Sequence, residues 1–227
     1  MWPNGVSGST WIGIVCAVGL AFGICLVGTT AALGQGKNED SRFIQVSGGL
    51  GVGAHSAPSL VDYISTVSGQ RMNDFASASE FFVTPEVQVT DDVSLAMEYI
   101  YLIKSYTIDP AWDFSYKVQM PSMLVHYLLP GEGYWLKFGG GIGYASGTFT
   151  ERNTISGAEA SYDASGLSLK AEAVGNTMFD EHFWGSIGLD LRWVFGGTFK
   201  ETTQRNLVPP RLRFFSAGVK FGIMFQL

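Results

Sequence analysis

Cysteine is almost missing from this chain. Cys16 and Cys25 both fall early, and no other cysteine follows. That excludes a disulfide or a thiol site in the remainder. Neither cysteine follows a lipoprotein box, because Val15 and Ile24 stand where a small residue is needed. Charge is scarce too: Asp, Glu, Lys and Arg make up 15% of the residues, well under the quarter usual for a soluble domain. The balance is a net charge of -6, which argues against a nucleic-acid partner. Histidine occurs three times, at His55, His126 and His182, with no triad spacing. No metal-ligand cluster appears. The run Gly139 to Gly143 alternates as a strand and opens no helix, so it is no phosphate cradle. No cofactor is expected.

Aromatics are plentiful at 14%, and there are 29 glycines. A mean hydropathy of +0.17 is high for a soluble protein and low for a bundle of membrane helices. Strands that show lipid only one of their two faces give this middle value. The length, 227 residues, suits one barrel without a second large domain.

Residues 1–36 carry no charged side chain, and Trp11 to Leu33 is a nearly continuous apolar run. Polarity returns at Lys37-Asn38-Glu39-Asp40, and Ala32-Leu33-Gly34 has small residues where a signal peptidase reads. Residues 1–34 are therefore expected to be a secretory signal peptide, although Lys and Arg are missing from its front. A retained membrane helix is the alternative. Residues 35–41 would be a short periplasmic segment and 42–227 the folded domain.

From there the apolar period is two. In the last stretch, Phe215, Ala217, Val219, Phe221, Ile223, Phe225 and Leu227 alternate with Ser216, Gly218, Lys220, Gly222, Met224 and Gln226. An edge strand of a soluble sandwich would leave this oily face as an aggregation hazard. Closure into a barrel in lipid removes the hazard. Similar strands are expected at about Phe43–Ala54, Glu80–Val89, Val93–Lys104, Phe114–Leu129, Tyr134–Ala145, Leu167–Val174 and Phe183–Phe195. Pro85 predicts a bulge or bend in the second strand, and Pro121 blurs the register of the fourth. Thr90–Asp92, Pro130–Gly133 and Asn176–His182 read as tight turns. His55–Ser79, Thr107–Asp113, Gly147–Gly166 and Gly196–Arg211 read as long polar loops. The prediction is an all-β, eight-stranded antiparallel transmembrane barrel with short periplasmic turns and long extracellular loops.

The hairpin Pro85–Tyr101, the Gly-rich strand Phe138–Tyr144 and the closing strand resemble the small OmpA-like outer-membrane barrels. The resemblance implies a bacterial outer membrane, with lipid and lipopolysaccharide as surroundings. Lys220, Gly222, Phe225 and Leu227 resemble the C-terminal insertion signal read by the barrel-assembly machinery, whose last residue is usually aromatic. Two aromatic girdles are expected: Tyr127, Tyr134, Phe183 and Phe225 at the short-turn end, and Tyr101, Tyr144, Trp193 and Phe215 at the other.

Alternation turns Glu86, Glu98, Lys104, Lys137, Lys170, Glu172, Asp190, Arg192 and Lys220 inward. The lumen of an eight-stranded barrel is just wide enough for side chains to fill. Charges there must pair, since an unpaired buried charge costs several kcal/mol. An ion-pair plug closing the lumen is the expected arrangement, and a narrow gated pore is the alternative, with room left by inward glycines. His126 points inward as a polar filler. A lipid-modifying barrel enzyme is a third reading: a deacylase needs a His–Ser–acid set that the lone His126 does not provide, and a palmitoyltransferase needs an apolar lumen. The loops remain as a contact surface for an extracellular ligand, or for lipopolysaccharide phosphate through basic residues such as Lys200 and Arg205.

Overall fold

The computed structural model describes residues 43–73, 75–108, 111–201 and 209–227. The expected signal peptide, 1–34, and the segment 35–41 lie outside the described residues. Eight long antiparallel strands form the body: β1 (Ile44–Ser56), β2 (Phe75–Thr90), β3 (Val93–Ile108), β4 (Trp112–Gly131), β5 (Tyr134–Asn153), β6 (Glu159–Met178), β7 (Phe183–Thr198) and β9 (Arg211–Gln226). A two-residue strand, β8 (Lys200–Glu201), pairs with β6 near its outer end. Each long strand pairs with its neighbour in sequence, and β1–β9 closes the ring. The backbone N–H of Leu227 donates to the Ile44 carbonyl at 2.8 Å, finishing the seam.

Closure can be followed through residues directly opposed on neighbouring strands. Gln45 pairs with Glu86, then Ala96, Leu124, Gly141, Lys170, Arg192 and Ser216, and Ser216 pairs with His55. The walk returns to β1 ten residues above its start, and that stagger fixes the strand tilt. The register runs unchanged through Pro85 and Pro121, so Pro85 makes no bulge, although the β2–β3 pairing skips Thr84 and Pro85. The β2–β3 irregularity lies at Gln88/Thr90, beside the turn. Pro121 fits because its side chain faces outward among other exposed positions of β4.

Most strands run past their expected ends, on the side away from the tight turns. β4, β5 and β6 each have 20 residues. At ~3.3 Å per residue and a tilt of about 40°, such a strand climbs about 50 Å, twice the apolar band of a membrane barrel. The stretch expected as a loop, Gly147–Gly166, is largely β5–β6 ladder, with its turn at Thr154–Ala158. Thr107–Asp113 is likewise mostly strand. The first expected loop contains a helix, α1 (Pro58–Ser68), with proline in its first turn and Gly69 closing it at φ 71°.

The outward-facing set explains the extension. On β5 it runs Leu136, Phe138, Gly140, Ile142, Tyr144, then Ser146, Thr148, Thr150, Arg152. The inward set runs the other way, from Lys137 and three glycines to Ala145, Phe149 and Glu151. β4 changes in the same manner: Leu129 to Met123 are apolar and outward, whereas Gln119, Lys117, Ser115 and Asp113 are polar, with Phe114, Tyr116, Val118 and Met120 inside. The barrel is therefore oily outside and polar inside at one level, and polar outside and oily inside at the next. Lipid faces the first zone and water the second.

Candidate functional site

The lumen holds a connected set of ion pairs at the level of the apolar belt. Glu86 accepts from Lys137 Nζ at 2.7 Å and also from Gln45 and Ser94. His126 stands between two carboxylates, Nδ1 at 3.1 Å from Glu86 and Nε2 at 2.8 Å from Glu172. Glu172 also takes Lys170 at 2.7 Å and Lys220 at 2.6 Å. Lys220 reaches Glu98 at 2.7 Å, and Lys170 pairs with Glu98 too. A second group lies beside it: Arg192 bonds Glu80 at 3.0 Å and Asp190 at 2.6 Å. The ten ionisable side chains, and Gln45 and Ser94 with them, are all buried.

Imidazole chemistry bears on the charge balance. A neutral ring has a single N–H, so one of the two His126 contacts would set lone pair against lone pair. Both are hydrogen bonds only when the ring carries two protons. Counted so, five cations (Lys137, Lys170, Lys220, Arg192, His126) face five anions (Glu80, Glu86, Glu98, Glu172, Asp190).

The expected network needs three corrections. Lys104 does not join it. Its Nζ is buried without a hydrogen-bond partner, 4.8 Å from the Tyr106 ring. Alternation put it on the right face, but it stands six residues above Glu98, in the apolar zone. Glu80 and His126, in contrast, belong to the network. Glu80 falls where the second strand was expected only to begin, and the two partners of His126 come from β2 and β6, remote in sequence.

Two apolar seals flank the ion pairs. Toward the short turns, Phe43 meets Trp135 edge-on at 4.6 Å, and Trp135 meets Trp184 at 6.1 Å. Leu128 and Met224 are buried at the same end. On the other side, Phe114, Tyr116, Phe149, Phe199, Leu212 and Phe214 belong to one buried cluster, and α1 adds Leu60, Tyr63 and Ile64 to it. Tyr63 donates to Glu151 at 2.9 Å and lies 2.9 Å from the Tyr162 hydroxyl. Burial pushes the Tyr63 phenol well above its ordinary value, so it stays protonated and able to donate. Beside the ion pairs, a cavity of about 20 Å³ has room for about one water.

The outer surface carries the girdle residues. Tyr127, Tyr134, Phe183 and Phe225 face outward near the short turns, with Phe183 and Phe225 at 5.1 Å. At the other border Tyr101, Tyr144, Trp193 and Phe215 lie on the outward face, with Trp193 and Phe215 at 5.3 Å. Of the expected insertion signal, Lys220 points into the network while Phe225 and Leu227 face out. Gly222 is required by space: a Cβ there would lie 2.7 Å from the Gly48 carbonyl oxygen. Lys200 is exposed on β8, and Arg205 lies outside the described residues.

No family model matches the chain, and no curated protein does. Solved structures do. Neisserial surface protein A is similar with a TM-score of 0.50 and 11% identity, over 82% of this chain and 97% of that one. Ail, the attachment invasion locus protein of Yersinia pestis, is similar with a TM-score of 0.51 and 11% identity, over 82% of this chain and 98% of that one. At such identity the likeness is one of fold. Together with the apolar belt and the closed ring, it gives this chain the fold of the small eight-stranded outer-membrane β-barrels.

Proposed function

We propose that this barrel does not conduct and serves a structural and surface-contact role, presenting a rigid β-sheet rim to whatever meets the cell. The observation that carries this reading is the filling of the lumen: a paired charge layer between an aromatic floor and an apolar dome capped by α1. A conducting path through it would need α1 to leave the mouth, the ion pairs to part and Trp135 to swing away. The charge layer is held by bonds among seven strands, so its side chains have little freedom to gate.

The contact surface follows from the extended strands. Binding through a preformed β-palisade loses less conformational entropy than binding through a floppy loop. The outward row Thr148, Thr150, Arg152 and its neighbours Glu159, Ser161 and Asp163 is polar and mixed in charge, as an exposed contact face would be. In this reading the closing strand, with Phe225 and Leu227, is also the segment recognised during insertion.

Planar-bilayer recording tests the proposal. The purified, refolded barrel should give no steady conductance above the bare membrane. Reproducible single-channel steps would replace the closed barrel with the gated pore.

A further inference from the structure

At the outer border of the belt, between β7, β9 and the start of α1, lies a hollow of about 410 Å³. It opens where the β7–β9 register slips between Phe195 and Thr198, a bulge that parts the two strands. Its lining falls into two classes. Trp193, Phe195 and Phe215 form an apolar lower wall, continuous with the lipid-facing belt. Arg211 and Arg213 stand just beyond Phe215 on the same face of β9 and are exposed. Among the described residues, no acidic side chain lines the hollow.

These arginines stand at the border of the apolar belt. They follow directly on the last apolar outward residue of β9, so they stand where acyl chains give way to headgroups. Two residues apart on one strand face, they are roughly 7 Å apart at the backbone, a span that brackets one phosphate. Neither guanidinium has an ion-pair partner among the described residues. The strand is also fixed, because the Arg211 backbone N–H donates to Ser59 Oγ of α1 at 2.9 Å. The two side chains are thus unpaired cations on a rigid edge, above aromatic rings that suit the top of an acyl chain.

We propose that Arg211 and Arg213 hold the phosphate of an outer-leaflet glycolipid, whose acyl chains lie against Trp193, Phe195 and Phe215. The inference rests on the outer-membrane placement of the barrel, not on whether its lumen is closed. Guanidinium suits this ligand because it meets phosphate oxygens through a planar pair of N–H donors and keeps its charge at any physiological pH.

The test uses the intact barrel in phosphatidylcholine nanodiscs doped with bisphosphorylated lipid A, with bound lipid counted by native mass spectrometry after detergent release. Wild type should retain lipid A, and R211Q/R213Q should lose it at least tenfold. K117Q, which removes a cation from the outward face of β4, should retain it like wild type. Dephosphorylated lipid A should be retained no better by wild type than by R211Q/R213Q, and excess inorganic phosphate should not displace the lipid. Equal retention by wild type and R211Q/R213Q would overturn the site. So would an equal loss in K117Q, full retention of dephosphorylated lipid, or displacement by free phosphate. If the double variant does not refold, the single variants R211Q and R213Q are read against the same criteria. Failure of wild type to enter bilayers at all would instead overturn the membrane placement.

Discussion

Replacing Glu172 with glutamine tests the lumen most sharply, because Glu172 is the hub of the ion-pair layer. It accepts from His126 at 2.8 Å, Lys170 at 2.7 Å and Lys220 at 2.6 Å. Gln keeps the shape, removes the charge and turns an amide NH₂ toward cations. At an effective dielectric of about 20, two unit charges ~4 Å apart attract by about 4 kcal/mol. Three such attractions are lost, offset by the several kcal/mol no longer spent on desolvating the carboxylate and by relief of its repulsion with Glu98 and Glu86. Glu172→Gln should therefore destabilise the barrel by about 3–5 kcal/mol, the usual result of removing one partner of a buried pair. Lys104→Met is the matched comparison. Lys104 is just as buried but has no hydrogen-bond partner, so removing its charge should leave stability within about 1 kcal/mol of wild type or raise it. The assay is reversible urea unfolding in lipid vesicles, followed by tryptophan fluorescence. A Glu172→Gln barrel as stable as wild type, or a Lys104→Met barrel as weakened as Glu172→Gln, would refute the hub.

Two further expectations concern packing. A Cβ on Gly141 would lie 1.9 Å from the Met123 carbonyl oxygen, whereas one on Gly175 finds its nearest neighbour at an ordinary 3.6 Å. Gly141→Ala should cost about 1–3 kcal/mol and Gly175→Ala much less, measured by the temperature at which the folded band disappears in heat-modifiability gels; equal effects would contradict the close β4–β5 approach. Tyr63→Phe removes the donor to Glu151 and should loosen α1 by about 1–3 kcal/mol. Trypsin should then cut faster after Arg71, just beyond the helix, and an unchanged cleavage rate would mean that α1 is held in the mouth by apolar contacts alone.

Much of this barrel is legible in its alternation. Phe221, Ile223 and Phe225 against Lys220, Gly222 and Met224 fix a strand, its lipid face and a buried lysine at once, because side chains on a strand must alternate. What alternation leaves open is height. Glu98 and Lys104 share an inward face, yet Glu98 reaches two lysines while Lys104 lies among aromatic rings, since only the stagger of the strands decides which side chains meet across the lumen. Following the outward apolar set also ends each strand too early. Beyond Tyr144 the apolar residues, Ala145 and Phe149, move to the inner face, and the polar Ser146 and Thr148 then read as loop. The helix left a signal of its own in Pro58 at its start, Leu60, Val61 and Ile64 at helical spacing, and Gly69 after its end. It was hidden within a stretch whose overall polarity suggested a plain loop.

The reach of water into the lumen decides the central claim, and water-edited solid-state NMR of the barrel in lipid bilayers measures it. Side-chain carbons of Glu98, Lys170 and Lys220 should gain polarisation from water slowly, well behind exposed Glu159. A build-up at Glu98 as fast as at Glu159 would mean a continuous water column through the barrel, and the sealed lumen would be wrong.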